Sequence, residues 1–110
     1  MDLSFKTKWL REICECEDTA IENLGVRNTR LLKNRLADIK AASSKYQISV
    51  GDPQIINVDN QALFSITLEN DIKVLFIANH NTNPRKKDGE LDWNKISRLK
   101  VISIGGKNDA

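Results

Sequence analysis

The stretch Leu63-Phe64-Ser65-Ile66-Thr67-Leu68, followed by Glu69-Asn70-Asp71 and then Ile72-Lys73-Val74-Leu75-Phe76-Ile77, reads as two strands joined by a tight reversal. Phe64, Ile66 and Leu68 alternate with Leu63, Ser65 and Thr67, the period of two that assigns one set to each face of a sheet. Asn and Asp tolerate positive φ better than other non-glycine residues, which suits Asn70 and Asp71 to the reversal. Val74 and Phe76 then return on the face that holds Ile66 and Leu68. Upstream, Gln54-Ile55-Ile56-Asn57-Val58 has the composition of a strand, set between the turn signals Gly51-Asp52-Pro53 and Asp59-Asn60-Gln61. Downstream, Leu99, Val101, Ile102 and Ile104, interleaved with Arg98 and Lys100, predict a last strand. Gly105-Gly106-Lys107-Asn108 follows as a loose end.

Toward the N-terminus the apolar period becomes helical. A first helix is expected from about Ser4, with Phe5, Trp9, Ile13 and Cys16 forming one stripe. Asp18 or Thr19 can cap a short turn that ends at Leu24, where Gly25 stops it. A second helix is expected from about Asn28 to Ser43. At roughly 100° per residue, Leu31, Leu32, Leu36 and Ile39 share one arc, and Arg27, Arg30, Lys33 and Lys40 share the opposite one. That basic stripe is either an ordinary solvated face or a surface that meets phosphates. Arg35 falls inside the apolar arc, so it either snorkels past the core edge or pairs with an acidic side chain there. Two helices followed by strands predict an α+β domain.

The chain has 110 residues, enough for one domain over 1–110 and one core. Charged residues make up 29%, with only 5 Gly and 2 Pro, which excludes disordered, collagenous and low-complexity classes. No stretch approaches a membrane span, and Asp2, Lys6 and Lys8 interrupt the region where a secretory signal would be apolar. Net charge is +2, which permits a nucleic-acid partner without arguing for one. On a helix Cys14 and Cys16 point about 200° apart and cannot bridge. With His80 the only histidine, neither a metal site nor a cofactor is expected, and two reduced, partly buried thiols imply the cytoplasm.

Positive charge is uneven. Asn79 to Glu90 is a long polar excursion carrying the contiguous Arg85-Lys86-Lys87, and Arg98 and Lys100 lie on one face of the last strand. Acidic residues cluster early, at Glu12, Glu15, Glu17, Asp18 and Glu22. His80 reads either as a general base or as a surface loop residue. No phosphate loop, Ser-His-Asp set or metal motif is present.

Phe5-Lys6, the run Asn28-Thr29-Arg30-Leu31-Leu32-Lys33-Asn34-Arg35-Leu36-Ala37-Asp38-Ile39-Lys40-Ala41-Ala42, the hairpin from Phe64 to Phe76 and the segment Asn83-Pro84-Arg85-Lys86-Lys87-Asp88-Gly89-Glu90-Leu91-Asp92-Trp93 together resemble the HigB branch of the RelE/ParE toxin superfamily. The resemblance covers about residues 5–104 in consistent order. It implies a RelE-like fold, with two N-terminal helices packed on a small, twisted, mainly antiparallel sheet of about four strands. It also implies the toxin of a bacterial type II toxin–antitoxin module, bound by a helix-turn-helix (HigA-like) antitoxin and inhibiting translation by ribosome-associated, metal-independent mRNA cleavage. The alternative is a catalytically degenerate homologue that acts by binding, either sequestering an antitoxin or inhibiting a protein target as ParE toxins do. Where the family tends to carry two cations before the hairpin this chain has Asn57 and Asn60, and Ile72-Lys73 stands in place of Tyr-Arg. Gly106-Lys107-Asn108 stands in place of Asp-Tyr-His. The expected catalytic residues are therefore Lys73 and Lys107. The expected RNA contacts are Arg30, Lys33, Lys40, Arg85, Lys86, Lys87, Arg98 and Lys100.

Overall fold

A computed structural model describes residues 1–105. Its elements are β1 (Asp2–Phe5), α1 (Lys8–Glu15), α2 (Glu17–Ala41), β2 (Gln54–Val58), β3 (Gln61–Thr67), β4 (Lys73–Ala78) and β5 (Arg98–Ile104). The strands form one five-stranded sheet in the order β1-β5-β4-β3-β2, antiparallel except where β1 runs parallel to β5. The α+β class holds, with five strands where about four were expected.

The extra strand is β1. The sequence predicts a helix from about Ser4; instead residues 2–5 form a strand in which Leu3 pairs with Leu99 and Phe5 with Val101, and α1 starts only after Thr7. The Thr7 hydroxyl accepts from the Leu10 N–H at 3.1 Å, capping the helix. The helical stripe accordingly shifts, so that Leu10 and Ile13 are buried while Trp9 faces solvent. The Met1 amino group donates to the carbonyls of Ile39 (2.9 Å) and Lys40 (3.1 Å), placing positive charge at the C-terminal end of α2.

The two-residue turn at Asp59 and Asn60, both at positive φ, joins β2 to β3 and pairs Asn57 with Ala62. The β3–β4 hairpin forms as the alternation predicts, with Ile66 opposite Val74 and Phe64 opposite Phe76. Asn70 and Asp71 take positive φ in the reversal. Buried Asn28 locks this turn to α2, because its side-chain Oδ1 accepts from the Glu69 N–H at 2.9 Å. β5 carries a bulge: Leu75 pairs with Ser103 and Phe76 with Val101, leaving Ile102 as the extra residue. That insertion lets Leu99, Val101 and Ile104 all reach the core.

Leu32, Leu36 and Ile39 of α2 and Leu10 and Ile13 of α1 cover the sheet face holding Phe64, Ile66, Val74, Phe76 and Val101. Arg35 pairs with Asp38 at 3.0 Å, the second of its two expected outcomes. Gly51 lies against Arg35 with φ +86°, and a Cβ there would come within 3.0 Å of the Arg35 Cδ and 2.9 Å of Ile66. Glycine is required at that position for both reasons.

Candidate nucleic-acid interface

Alternation along the strands places Lys73, Arg98 and Lys100 on one face of the sheet and Asn57 on the other. Thr67 and Lys73 pair on the outer face, the side away from the helices, because Ile66 and Val74 beside them point into the core. Lys73 is exposed and its Nζ donates to the Thr67 hydroxyl at 3.1 Å, which leaves two ammonium protons for a ligand. The Gly105 N–H donates to the Lys73 carbonyl at 2.7 Å, so the chain passes Lys73 at the end of β5. Lys107 lies outside the described residues. Arg98 and Lys100 share the outer face on the neighbouring strand, toward the end of β4 opposite Lys73, and Arg98 pairs loosely with Asp2 at 4.0 Å.

Asn57 and Asn60 belong elsewhere. Asn57 pairs with Ala62, which shares the helix-side face with Phe64. The Asn57–Ala62 and Thr67–Lys73 pairs lie five residues apart along β3, about 17 Å at strand rise. The two asparagines and Lys73 therefore form no single site. A signal for this exists in the chain, since Ala62 is even-numbered with Phe64 and Ile66, while Thr67 is odd.

Asn57 and Asn60 instead line a cleft of about 410 Å³ with Arg85, Lys86, Glu90 and Trp93. Here the 79–97 excursion folds back over the sheet. Trp93 packs its ring 6.4 Å from Phe64 and is buried, anchoring the excursion to the core. Arg85 bridges to Leu91, and the Lys86 N–H donates to the Glu90 carbonyl at 2.8 Å, with Gly89 at φ +91° completing the turn. The Arg85 guanidinium donates to the Gly89 carbonyl at 2.8 Å. Arg85, Lys86 and Lys87 are thus three exposed cations on a closed hairpin rather than a loose run. If these cations meet nucleic-acid phosphates, replacing all three with alanine weakens RNA binding by roughly tenfold or more and flattens its salt dependence, since each lost phosphate contact takes about 0.7–0.9 from the log–log slope. An unchanged slope would remove the hairpin from the interface.

His80 is no free general base. Its Nε2 accepts from the Ser97 N–H at 3.1 Å, and the His80 backbone N–H donates to the Asn83 side-chain Oδ1 at 2.9 Å. It ties the two ends of the excursion together.

Arg30, Lys33 and Lys40 are exposed along α2, in the helical layer. They cannot share one flat surface with Lys73 and Lys100, which occupy the opposite side of the two layers. Among the described residues no carboxylate lies within 4 Å of Arg30, Lys33, Lys40, Lys73, Lys100 or the Arg85–Lys87 cations.

The cysteines differ from one another. Cys14 is half-buried, and burial together with Glu15 pushes its thiol up to about 12. Cys16 is exposed at the junction of α1 and α2, with extended backbone, so the expectation of two similar helical thiols fails there. Thr19 lies near enough to lower the Cys16 thiol, without a cap hydrogen bond of full geometry. At mildly alkaline pH a thiol reagent is expected to modify Cys16 rapidly and Cys14 only on unfolding. An unfolded Cys14 ionises near 9 while the folded one stays protonated, so stability falls as pH rises from about 9 toward 12. Equal labelling of both thiols in the native protein would contradict this.

Among the described residues no group of three or more His, Cys, Asp or Glu side chains is placed to hold a metal ion, and no helix is long and apolar enough to cross a membrane. Comparison with protein-family models, with curated proteins and with solved structures finds no match.

Proposed function

We propose that the chain is a HigB/RelE-like toxin of a bacterial type II toxin–antitoxin module, restrained by a helix-turn-helix antitoxin and inhibiting translation in the cytoplasm through ribosome-associated mRNA cleavage. The observation that carries this reading is the resemblance over residues 5–104 in consistent order, down to Asn83–Trp93. That last segment supplies a hairpin with three exposed cations free of carboxylate partners among the described residues.

In the cleavage reaction a ribose 2′-oxygen bonds to the adjacent phosphorus as its proton passes to solvent. The bond from phosphorus to the 5′-oxygen breaks as that oxygen takes up a proton, which leaves a 2′,3′-cyclic phosphate and a 5′-hydroxyl. Negative charge builds on the phosphoryl oxygens in between. A fixed cation stabilises that charge most when it needs no reorganisation. Lys73 suits the role, because Thr67 holds its ammonium while two donors remain free. Lys107 is the second cation the reading assigns. Arg85, Lys86 and Lys87, with Arg98 and Lys100, provide the phosphate contacts that hold the ribosome and message.

One observation favours a second reading, in which the chain acts by binding alone. The family's two cations before the hairpin are Asn57 and Asn60 here, and those positions stand about 17 Å from Lys73 along the sheet, on its other face. Induced expression without an antitoxin separates the two. Growth arrest with new 5′ ends inside translated messages supports cleavage. Arrest with intact messages supports binding to a protein target, and unimpeded growth overturns the toxin reading.

A further inference from the structure

The helical layer turns apolar side chains outward where α2 is broken. Gly25 sits at φ +84°, ψ 165°, a conformation that interrupts the helix between Leu24 and Val26. Val26 is 60% exposed and Ile21 36% exposed, on either side of that break. Glu17 and Ile21 face Val26, Arg30 and Lys33 across a groove of about 270 Å³. A second hollow, of about 460 Å³, continues over Arg27 and Leu31 and shares Val26 and Arg30 with the first. Ile21 and Val26 give this surface a small apolar centre rimmed by charge.

Charge on this surface is split by the same break. Glu17 on the groove precedes Gly25, with Asp18 and Glu22 exposed on the same helical segment; Arg30 and Lys33 on the groove follow it, with Arg27 beside them. Arg27 is spent on Glu69 at 2.8 Å. Glu17, Glu22, Arg30 and Lys33 are exposed and, among the described residues, have no oppositely charged partner within 4 Å. A nucleic acid or a uniformly acidic segment would meet repulsion from Glu17, Asp18 and Glu22. The groove calls for a partner with the reverse split and an apolar centre. A second copy turned by a two-fold axis presents that arrangement, because in an isologous interface residue i meets j while j meets i.

We propose that the Gly25 corner is the interface of a symmetric homodimer. The acidic arm of each copy, Glu17 and Glu22, lies against the basic arm, Arg30 and Lys33, of the other around a shared centre of Ile21 and Val26. Charge complementarity sets the register, so association weakens as salt screens it. The basic stripe then belongs to a protein contact, and nucleic acid is left to the hairpin and the outer sheet face.

Sedimentation equilibrium on the full chain tests this. At low salt the protein should follow a concentration-dependent monomer–dimer equilibrium that shifts to monomer as salt rises. Arg30→Glu with Lys33→Glu reverses the unpaired basic arm, and Glu17→Lys with Glu22→Lys reverses the acidic arm. Each double variant should sediment as a monomer while retaining the wild-type circular dichroism spectrum. Mixing the two should restore a one-to-one heterodimer, and one chain carrying all four changes should again form a homodimer. A merely damaged helix would show neither rescue. The proposal is overturned by a wild-type monomer at every concentration, by a dimer that both double variants leave intact, or by failure of both rescues. Loss of ribosome cosedimentation in the Arg30/Lys33 variant without loss of a dimer would likewise overturn it, assigning the stripe to RNA.

Discussion

Replacing Lys73 with alanine is expected to lower ribosome-dependent mRNA cleavage by about 10²–10³-fold, the loss that follows removal of one pre-positioned charge-stabilising donor. The side chain is exposed, so the fold should lose no more than roughly 0.5 kcal/mol. Cosedimentation with ribosomes should barely change, because Lys73 is one cation among several. Lys73→Arg keeps the charge but alters the donor geometry, and it should retain most of the cleavage that alanine removes. Thr67→Val removes the hydroxyl that accepts from Nζ at 3.1 Å and should produce a smaller loss than Lys73→Ala. Cleavage by Lys73→Ala at the wild-type rate would move the reaction away from the outer sheet face.

The largest stability effect is expected at Phe64. Its ring is fully buried, 5.7 Å from Phe76 and 6.4 Å from Trp93 between centroids. It thus joins the central hairpin to the excursion that carries Arg85–Lys87. Phe64→Ala should cost about 3–5 kcal/mol, the range for a large aromatic removed from a core. A domain of this size commonly has about 5–15 kcal/mol in total. At about 4–8 °C per kcal/mol, thermal unfolding should shift down by at least roughly 12 °C. Trp93 fluorescence should report loosening of the excursion in the same experiment. A shift of only a few degrees would show that the hairpin and excursion are not stabilised through this ring.

The β3–β4 hairpin is legible in the chain because its information is local. Period-two alternation and a polar reversal lie within fifteen residues, and pairing follows from them. β1 is not legible on those terms. Leu3 and Phe5 offer only two alternating positions, and the parallel partner that makes them a strand begins at Arg98, at the far end of the chain. The β5 bulge hides in the same way: Leu99, Val101 and Ile104 do not alternate, and only pairing with β4 shows why all three are inside. For the candidate site, the cations themselves could be counted from the sequence, but their grouping could not. Arg85–Lys87 become one exposed hairpin only through the anchoring of Trp93 on Phe64. His80 lost its candidacy through a hydrogen bond to Ser97, seventeen residues away. The separation of Asn57 from Lys73 was available from strand parity once the turn at Asp59 and Asn60 set the register.

The central claim is that this chain cuts messages on the ribosome, and purified components test it most directly. The protein is added to a reconstituted translation reaction programmed with a defined message, and the 5′ ends of the message are mapped. The account predicts discrete internal cuts that appear only when ribosomes are translating, that need no divalent-metal ligand on the protein, and that disappear with Lys73→Ala. A message that stays intact while translation proceeds at its normal rate would contradict it.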